Sequence, residues 1–222
     1  MSNLTLHRTH SFSSSVGRLP YLLYEPPGQA DEVRPFVLFL HGAGERGDHL
    51  ELVAKHGIPR EIELGKNLPF VAVSPQCPSA KNWEQLTGAL GELLDELIPK
   101  YKLDQRRIYL TGMSMGGFGA WRLAASAPQR FAALVPICGG GDPAWAPALK
   151  ALPTWAFHGA QDEIVPPGKT QVMVDALKAL EAPIRLTLYP GVGHDSWTRT
   201  YENPELYDWM LGQRRVSSDQ AV

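Results

Sequence analysis

Short apolar runs that alternate with helical patterns are the feature that most constrains the fold of this chain. The runs are rich in β-branched or aromatic residues and cover Pro35–Leu40, Phe70–Val73, Arg107–Thr111, Ala133–Ile137, Thr154–Phe157 and Ile184–Tyr189. Such alternation predicts a mostly parallel sheet with helices packed on its faces. Two earlier segments, Leu4–Phe12 and Leu19–Tyr24, predict an antiparallel pair joined by a turn at Ser13–Gly17. The expected sheet therefore has about eight strands.

The helical segments show apolar stripes at steps of three and four residues. One stripe runs through Leu86, Leu90, Leu93, Leu94, Leu97 and Ile98, and another through Met173, Leu177 and Leu180. Both predict helices that bury one face against the sheet. Asp48 and Glu51 have capping-box spacing and predict a helix that continues to about Leu64. A closing helix is expected at Pro204–Gln213, followed by a frayed tail at Val216–Val222.

Length and composition favour one domain over residues 1–222. The 222 residues are 44% apolar, which is enough for one large core and short for two. The net charge of -2 and the pI near 6.4 come from interspersed acids and bases, which predicts neither nucleic-acid nor membrane binding. The polar start at Met1–Ser15 lacks the apolar segment of a signal peptide, so a cytoplasmic location is expected. Cys77 and Cys138 are interpreted as reduced thiols at strand ends, where a contact between them stays open.

The sequence GxSxG at 112–116 lies directly after one predicted strand and before a predicted helix at Gly117–Ala127. This context is typical of a tight strand-to-helix turn that holds a serine hydroxyl clear of the backbone. The turn strains the serine backbone and crowds the positions two residues away, so it requires glycine at both. Ser114 is therefore the candidate nucleophile.

An acid and a histidine follow two later strands. Asp162 lies in the loop after Thr154–Phe157, and His194 in the glycine-containing loop after Ile184–Tyr189. Carboxyl ends of parallel strands share one edge, so these side chains are expected to meet Ser114 there. His194 would serve as the base and Asp162 would orient it. His158 is the rival base and Glu163 the rival acid, and the chain order of the groups favours His194 and Asp162.

A glycine-rich loop follows the run Pro35–Leu40. A tetrahedral intermediate needs two preorganised amide donors, one after the nucleophile and one from an earlier loop. We assign these donors to Met115 and Ala43, with Gly44 as the alternative to Ala43. Glu45 and Arg46 are interpreted as an ion pair that shapes the loop, and a functional role in the oxyanion loop is the alternative. A phosphate-binding loop would need a following Lys-Ser or Lys-Thr pair, and this loop lacks one.

The chain contains six motifs in this order: LHGAGERGD, SPQCP, GMSMGG, PICGGGD, HGAQDEIVP and GVGHDSW. With these motifs it resembles the compact phospholipase/carboxylesterase and dienelactone hydrolase-like branch of the α/β-hydrolases. More narrowly, it resembles the esterases of that branch known as predicted peptidases. The resemblance implies a cofactor-free, metal-free serine hydrolase with Ser114, Asp162 and His194 as its triad. Dienelactone hydrolases carry a cysteine in place of Ser114, which argues against that activity. Trp83 and Trp197 follow motif loops and are candidate walls of a substrate pocket, with core packing as the alternative.

The expected function is hydrolysis of short-chain, soluble carboxylic esters through an acyl-enzyme, because the segment Gly139–Pro153 leaves little room for a lid. Two alternatives stay open from the sequence: a peptidase of the prolyl oligopeptidase type, and a noncatalytic binding module on a hydrolase scaffold. The preferred acyl group, the alcohol and the oligomeric state are not specified by these motifs.

Overall fold

The computed structural model describes residues 8–15, 17–28 and 32–215. These residues form an eight-stranded sheet in the order β1-β2-β4-β3-β5-β6-β7-β8. The strands are β1 (Arg8–Ser14), β2 (Gly17–Tyr24), β3 (Arg34–Leu40), β4 (Val71–Pro75), β5 (Leu103–Met113), β6 (Ala133–Ile137), β7 (Thr154–Gly159) and β8 (Ile184–Tyr189). β2 pairs antiparallel with β1 and β4, and the remaining neighbours pair in parallel. The predicted mostly parallel sheet with an antiparallel pair at its start is confirmed.

Helices cover both faces of this sheet. They are α1 (Gly57–Glu63), α2 (Thr87–Lys100), α3 (Met115–Ser126), α4 (Ala146–Leu149), α5 (Gly168–Lys178), α6 (Trp197–Glu202) and α7 (Pro204–Gly212). Alternate residues of β3 point to opposite sides, so Leu38 packs with α2 and α3 whereas Phe39 packs with α1 and α6. The two hydrophobic layers hold the carboxyl ends of the central strands in fixed positions.

The predicted helix from Asp48 to Leu64 is wrong in its first half. Leu50–Lys55 forms a 3₁₀ segment without a side-chain cap, and α1 begins separately at Gly57. Gly57 has φ +69°, which is outside the helical region, and a Cβ atom there would lie 2.2 Å from the Phe39 ring. The chain therefore breaks where it passes closely over β3.

Other boundaries differ modestly from the sequence predictions. The stripe that begins at Leu86 is preceded by a 3₁₀ turn, Trp83–Leu86, which has a complete capping box between Asn82 and Gln85. β5 starts at Leu103, several residues before the predicted run. The expected strand residues 4–7 and the expected tail 216–222 lie outside the described residues. The single-domain interpretation stays a prediction.

Within residues 8–15, 17–28 and 32–215, no helix combines the length and the apolar character needed to cross a bilayer. The cytoplasmic location stays a prediction.

Candidate active site

Ser114 lies in a strained turn between β5 and α3. Its backbone adopts φ 53° and ψ −119°, a combination that residues with a side chain rarely occupy. A Cβ atom on Gly112 would lie 2.3 Å from the carbonyl oxygen of Gly116, and one on Gly116 would lie 1.9 Å from that of Leu40. The predicted need for glycine at both positions is confirmed. The turn holds the serine at the carboxyl edge of the sheet.

Three side chains from three separate loops form a hydrogen-bonded chain at this edge. The Oγ atom of Ser114 lies 2.9 Å from Nε2 of His194, and Nδ1 of His194 lies 2.8 Å from Oδ2 of Asp162. A carboxylate can only accept, so Nδ1 carries the proton in this pair. Nε2 is then free to accept the serine proton, as a general base must. The structure brings the three predicted residues together, and their catalytic roles stay predictions.

The carboxylate of Asp162 is buried and fully engaged. Its Oδ1 atom accepts hydrogen bonds from the backbone amides of Ile164 at 3.0 Å and Val165 at 2.9 Å. Burial raises the pKa of this carboxyl, but the His194 imidazole and the two amides outweigh burial and hold the pKa below its usual value. The rival acid, Glu163, is exposed. Asp162 is therefore the acid that the fold keeps ionised beside the imidazole.

The acid loop and the histidine loop are packed directly against each other. The amide of Gln161 donates to the carbonyl oxygen of Val192 at 2.9 Å. A Cβ atom on Gly159 would lie 2.0 Å from the carbonyl oxygen of Gly193. The edge of the Trp197 ring meets the His194 ring at 5.2 Å between centroids and 88° between planes. This packing fixes the distance between the acid and the imidazole.

A buried histidine, His41, holds the loop after β3. The Nδ1 atom of His41 lies 2.6 Å from the carbonyl oxygen of Gly42, so it donates there, and Nε2 accepts from the amide of Cys77 at 3.0 Å. Desolvation lowers the pKa of His41 to about 4, which keeps the ring neutral. The ring thereby connects the ends of β3 and β4. A Cβ atom on Gly42 would lie 3.8 Å from that of Ser114, so this loop borders the nucleophile.

The two predicted oxyanion donors belong to the two segments that border Ser114, the start of α3 and the loop after β3. Met115 is the first residue of α3, where backbone amides lack intrahelical partners. Ala43 begins a 3₁₀ turn, Ala43–Glu45, directly after Gly42. Their assignment as donors stays a prediction.

The expected ion pair between Glu45 and Arg46 is wrong. Among the described residues, the buried Glu45 carboxylate faces His41 at 3.9 Å and His56 at 4.0 Å. Arg46 instead donates to the carbonyl oxygens of Ala43 at 3.1 Å and Lys81 at 3.4 Å. Opposite charges on adjacent residues diverge here because the 3₁₀ turn directs Glu45 inward and leaves Arg46 exposed.

Comparison with known proteins fixes the family. The model of the family described as "Dienelactone hydrolase family" matches residues 79–208, which is more than half of the chain. The chain belongs to the dienelactone hydrolase family. This match includes Ser114, Asp162 and His194.

Individual relatives of this dienelactone hydrolase family member are named as ester-cleaving or depolymerising enzymes. The chain is 29% identical to "Poly(3-hydroxyalkanoate) depolymerase C" of Paucimonas lemoignei over 150 residues, which is 61% of the chain and 34% of the relative. It is 23% identical to "Bifunctional acetylxylan esterase/xylanase XynS20E" of Neocallimastix patriciarum over 148 residues, 64% of the chain and 21% of the relative. The chain thus spans about a third or less of the length of these curated relatives.

A solved structure titled "Crystal Structure of a Thermostable Esterase" superposes with a TM-score of 0.83 at 33% identity, covering 95% of the chain and 64% of that structure. Together with the strand order, this similarity establishes the α/β-hydrolase fold.

The two tryptophans proposed as pocket walls have different positions in this family member. Trp83 is completely buried, donates from Nε1 to the carbonyl oxygen of His41 at 2.8 Å, and packs over Gly119. Its assignment to the substrate pocket is wrong, because α3 passes so close to the 3₁₀ turn that the indole fills the core. Trp197 is half-buried and lies between the rings of His194 and His56. It therefore borders the site.

Two histidines have roles that the sequence analysis missed. His56 lies against Trp197 at 5.6 Å between ring centroids, and its sequence context carries no signal for this contact. His158 is buried behind Asp162, with Nε2 3.2 Å from Oδ2 of that carboxylate. The available signal is the spacing from His158 to Asp162 in HGAQD, and from the sequence alone His158 is interpreted as a rival base.

One cluster in the described part of the chain combines metal-ligand side chains: Cys138, Asp162 and His194, whose ligand atoms lie within 4.8 Å of one another. The 2.8 Å hydrogen bond between Asp162 and His194 occupies the space where an ion would bind both atoms. Burial raises the pKa of the Cys138 thiol to about 12 and that of Cys77 to about 11, so both stay protonated and are poor metal ligands. Both cysteines are free thiols.

Proposed function

We propose that the protein is a serine carboxylesterase that hydrolyses short-chain, soluble carboxylic esters through an acyl-enzyme. The observation that carries this proposal is the chain of hydrogen bonds from Ser114 through His194 to Asp162, at 2.9 and 2.8 Å. The strained backbone of Ser114 supports it independently, because such strain is typical of functional positions.

In the proposed reaction, Ser114 Oγ attacks the ester carbonyl carbon while Nε2 of His194 takes the hydroxyl proton. The amides of Ala43 and Met115 stabilise the oxyanion of the tetrahedral intermediate. The C–O bond to the alcohol then breaks, and His194 returns the proton to the leaving oxygen. Water repeats the sequence on the acyl-enzyme and releases the acid. Asp162 keeps the imidazole in the required tautomer and stabilises its cation.

The preference for small soluble esters is supported by the loop above the site. Between β6 and β7 the chain forms a 3₁₀ turn, Pro143–Trp145, and the one-turn helix α4. This segment is too short to form a covering domain over the serine. We therefore expect acetyl and butyryl esters to be cleaved without a lipid interface.

The experiment compares p-nitrophenyl acetate with p-nitroacetanilide as substrates for the wild-type protein, Ser114→Ala and Ser126→Ala. Ser126 is a matched control because its hydroxyl bonds the carbonyl oxygen of Leu123 at the end of α3. Wild-type and Ser126→Ala proteins should hydrolyse the ester and acquire an acetyl mass adduct under rapid quench, and Ser114→Ala should do neither. Faster anilide cleavage would favour a peptidase, and unchanged ester hydrolysis by Ser114→Ala would refute the proposal.

A further inference from the structure

His158 connects the acid loop to two other elements of the site. The ring is completely buried at the end of β7. Its Nε2 atom lies 2.8 Å from the carbonyl oxygen of Val165 and 3.2 Å from Oδ2 of Asp162. On the other side of the ring, Nδ1 lies 2.7 Å from the hydroxyl of Thr170 on α5, which also contacts the carbonyl oxygen of Gly139 at 2.5 Å.

The surroundings of Nε2 determine where a proton must be. A backbone carbonyl and a carboxylate can only accept hydrogen bonds. An unprotonated Nε2 would therefore face two hydrogen-bond acceptors with no proton between them, which is costly in a buried site. On the other side of the ring, Nδ1 faces the Thr170 oxygen, because the Thr170 hydroxyl donates its proton to the carbonyl oxygen of Gly139. A neutral ring has one proton for the two sides, and that proton belongs on Nε2, which faces two acceptors, one of them charged.

The proton on Nε2 influences both carboxylate oxygens of Asp162, Oδ2 directly and Oδ1 through Val165. Val165 receives the hydrogen bond at its carbonyl, and its own amide donates to Oδ1 of Asp162 at 2.9 Å. The same N–H lies beside Oδ2, the oxygen that His194 contacts at 2.8 Å. The ring of His158 thus holds the turn at 162–165 closed and places a positive dipole next to the oxygen that orients His194.

We propose that His158 is a positioning residue that fixes the Asp162 carboxylate and limits how strongly it stabilises the protonated form of His194. This inference rests on the proposed function, since it assigns Asp162 and His194 to one reaction. His158 is completely buried and contacts Asp162, Val165 and Thr170, so it acts through Asp162.

The groups that could titrate around this cluster come from three loops. Asp162 and His158 belong to β7 and its loop, His194 and Asp195 to the loop after β8, and Cys138 to the loop after β6. The helix α5 contributes the uncharged Thr170. Burial lowers the pKa of His158 and raises that of the Cys138 thiol to about 12, so neither group carries a charge near neutral pH.

Three variants test the proposal: His158→Leu, His158→Gln and, as a control, His49→Gln, whose side chain is exposed. Without the dipole beside Oδ2, Asp162 favours the protonated imidazole more strongly. In His158→Leu, the acid limb of the pH profile of kcat/KM should move upward by about half to one pH unit, and kcat should fall about tenfold or more. Gln can restore an N–H near the position of Nε2 and should reverse most of the shift. His49→Gln should match the wild type.

A residue that only packs would lower the melting temperature and leave the acid limb in place, and that result in His158→Leu would overturn the proposal. A second measurement needs neither a folded variant nor esterase activity: ¹⁵N NMR of histidine-labelled wild-type protein. It should show a proton on Nε2 of His158 at neutral pH. An unprotonated Nε2 would overturn the inference even if the esterase assignment holds. If instead the NMR spectrum shows the proton on Nε2 but the protein does not hydrolyse esters, the proposed function alone is refuted.

Discussion

Replacing Gly116 by alanine would place a methyl group inside the backbone of a neighbouring strand. The added Cβ atom would lie 1.9 Å from the carbonyl oxygen of Leu40 and 2.7 Å from that of His41. Real Cβ atoms essentially never approach closer than 3.0 Å, so either α3 or the end of β3 must yield by about 1.1 Å. Neither neighbour is a flexible side chain that could rotate away.

The displacement changes the distance between the two predicted oxyanion donors, Ala43 and Met115. The carbonyls of Leu40 and His41 lead directly into Ala43, whereas Gly116 follows Ser114 and Met115 on the other side. A shift of 1 Å between the reacting groups costs about 10²-fold in rate, or about 2.7 kcal/mol of transition-state stabilisation. Overpacking should also destabilise the fold by about 1–3 kcal/mol.

Two matched glycines separate these effects. A Cβ atom on Gly119 would lie 2.2 Å from the Cβ atom of Trp83, one helical turn away from the serine, whereas one on Gly88 would meet nothing within 4 Å. Gly119→Ala should therefore destabilise the protein with a much smaller loss of kcat. Gly88→Ala should keep kcat and gain up to about 1 kcal/mol from helix propensity.

The assay is kcat for p-nitrophenyl acetate, divided by the folded fraction from circular dichroism at the same temperature. Gly116→Ala should lose about 100-fold per folded molecule. If it stays within about threefold of the wild type, or if Gly119→Ala loses as much, then the close approach of α3 to β3 does not set the geometry of the site.

Three further changes test separate parts of the structure. Asp162→Asn should lower kcat by about 10⁴-fold. The pKa of Asp162 is held below its usual value, so the wild-type carboxylate stabilises the fold above about pH 4 and loses this contribution as the pH falls through the folded-state pKa. The variant should therefore show a flatter acid-unfolding curve by circular dichroism. Ser114→Gly should raise the urea midpoint by relieving about 1 kcal/mol of backbone strain, whereas Ser114→Ala, which keeps a Cβ atom at φ 53°, should not. Equal midpoints for the two variants would contradict the inference that the Ser114 backbone is strained. Burial raises the pKa of Glu45, so its ionisation costs stability as the pH rises through that pKa. In urea titrations, Glu45→Gln should match the wild-type free energy of unfolding near pH 4 and exceed it at pH 8. The opposite trend would show that the carboxylate is stabilising.

The sheet and the three candidate catalytic residues were predictable because both depend on local patterns with fixed geometric consequences. Apolar runs of strand length, separated by helical stripes, leave few alternatives to a parallel sheet. In such a sheet the loops after β5, β7 and β8 share an edge. Ser114, Asp162 and His194 could therefore be placed together before any distance was known.

The errors arose where long-range packing overrides local preference. Capping-box spacing at Asp48 predicts a continuous helix, yet Gly57 must cross the Phe39 ring and the helix breaks there. Trp83 follows a motif loop, yet the absence of a side chain on Gly119 lets its indole enter the core. Neither approach distance is encoded in the segment that it alters.

The position of the acid depends on residues far from it in sequence, and Gly139 is where two of these dependencies meet. A Cβ atom there would lie 2.5 Å from the carbonyl carbon of Gly117, so the loop after β6 touches α3 one turn beyond the serine. The carbonyl oxygen of the same residue lies 2.5 Å from the Thr170 hydroxyl, which contacts His158. A displacement of the nucleophile helix is therefore transmitted to the acid through packed backbone and three polar contacts, from Gly139 to Thr170, from Thr170 to His158 and from His158 to Asp162. Because protein interiors are close-packed, such a connection is stiff. The serine and the carboxylate, although contributed by separate loops, are consequently held in register by the loop between them.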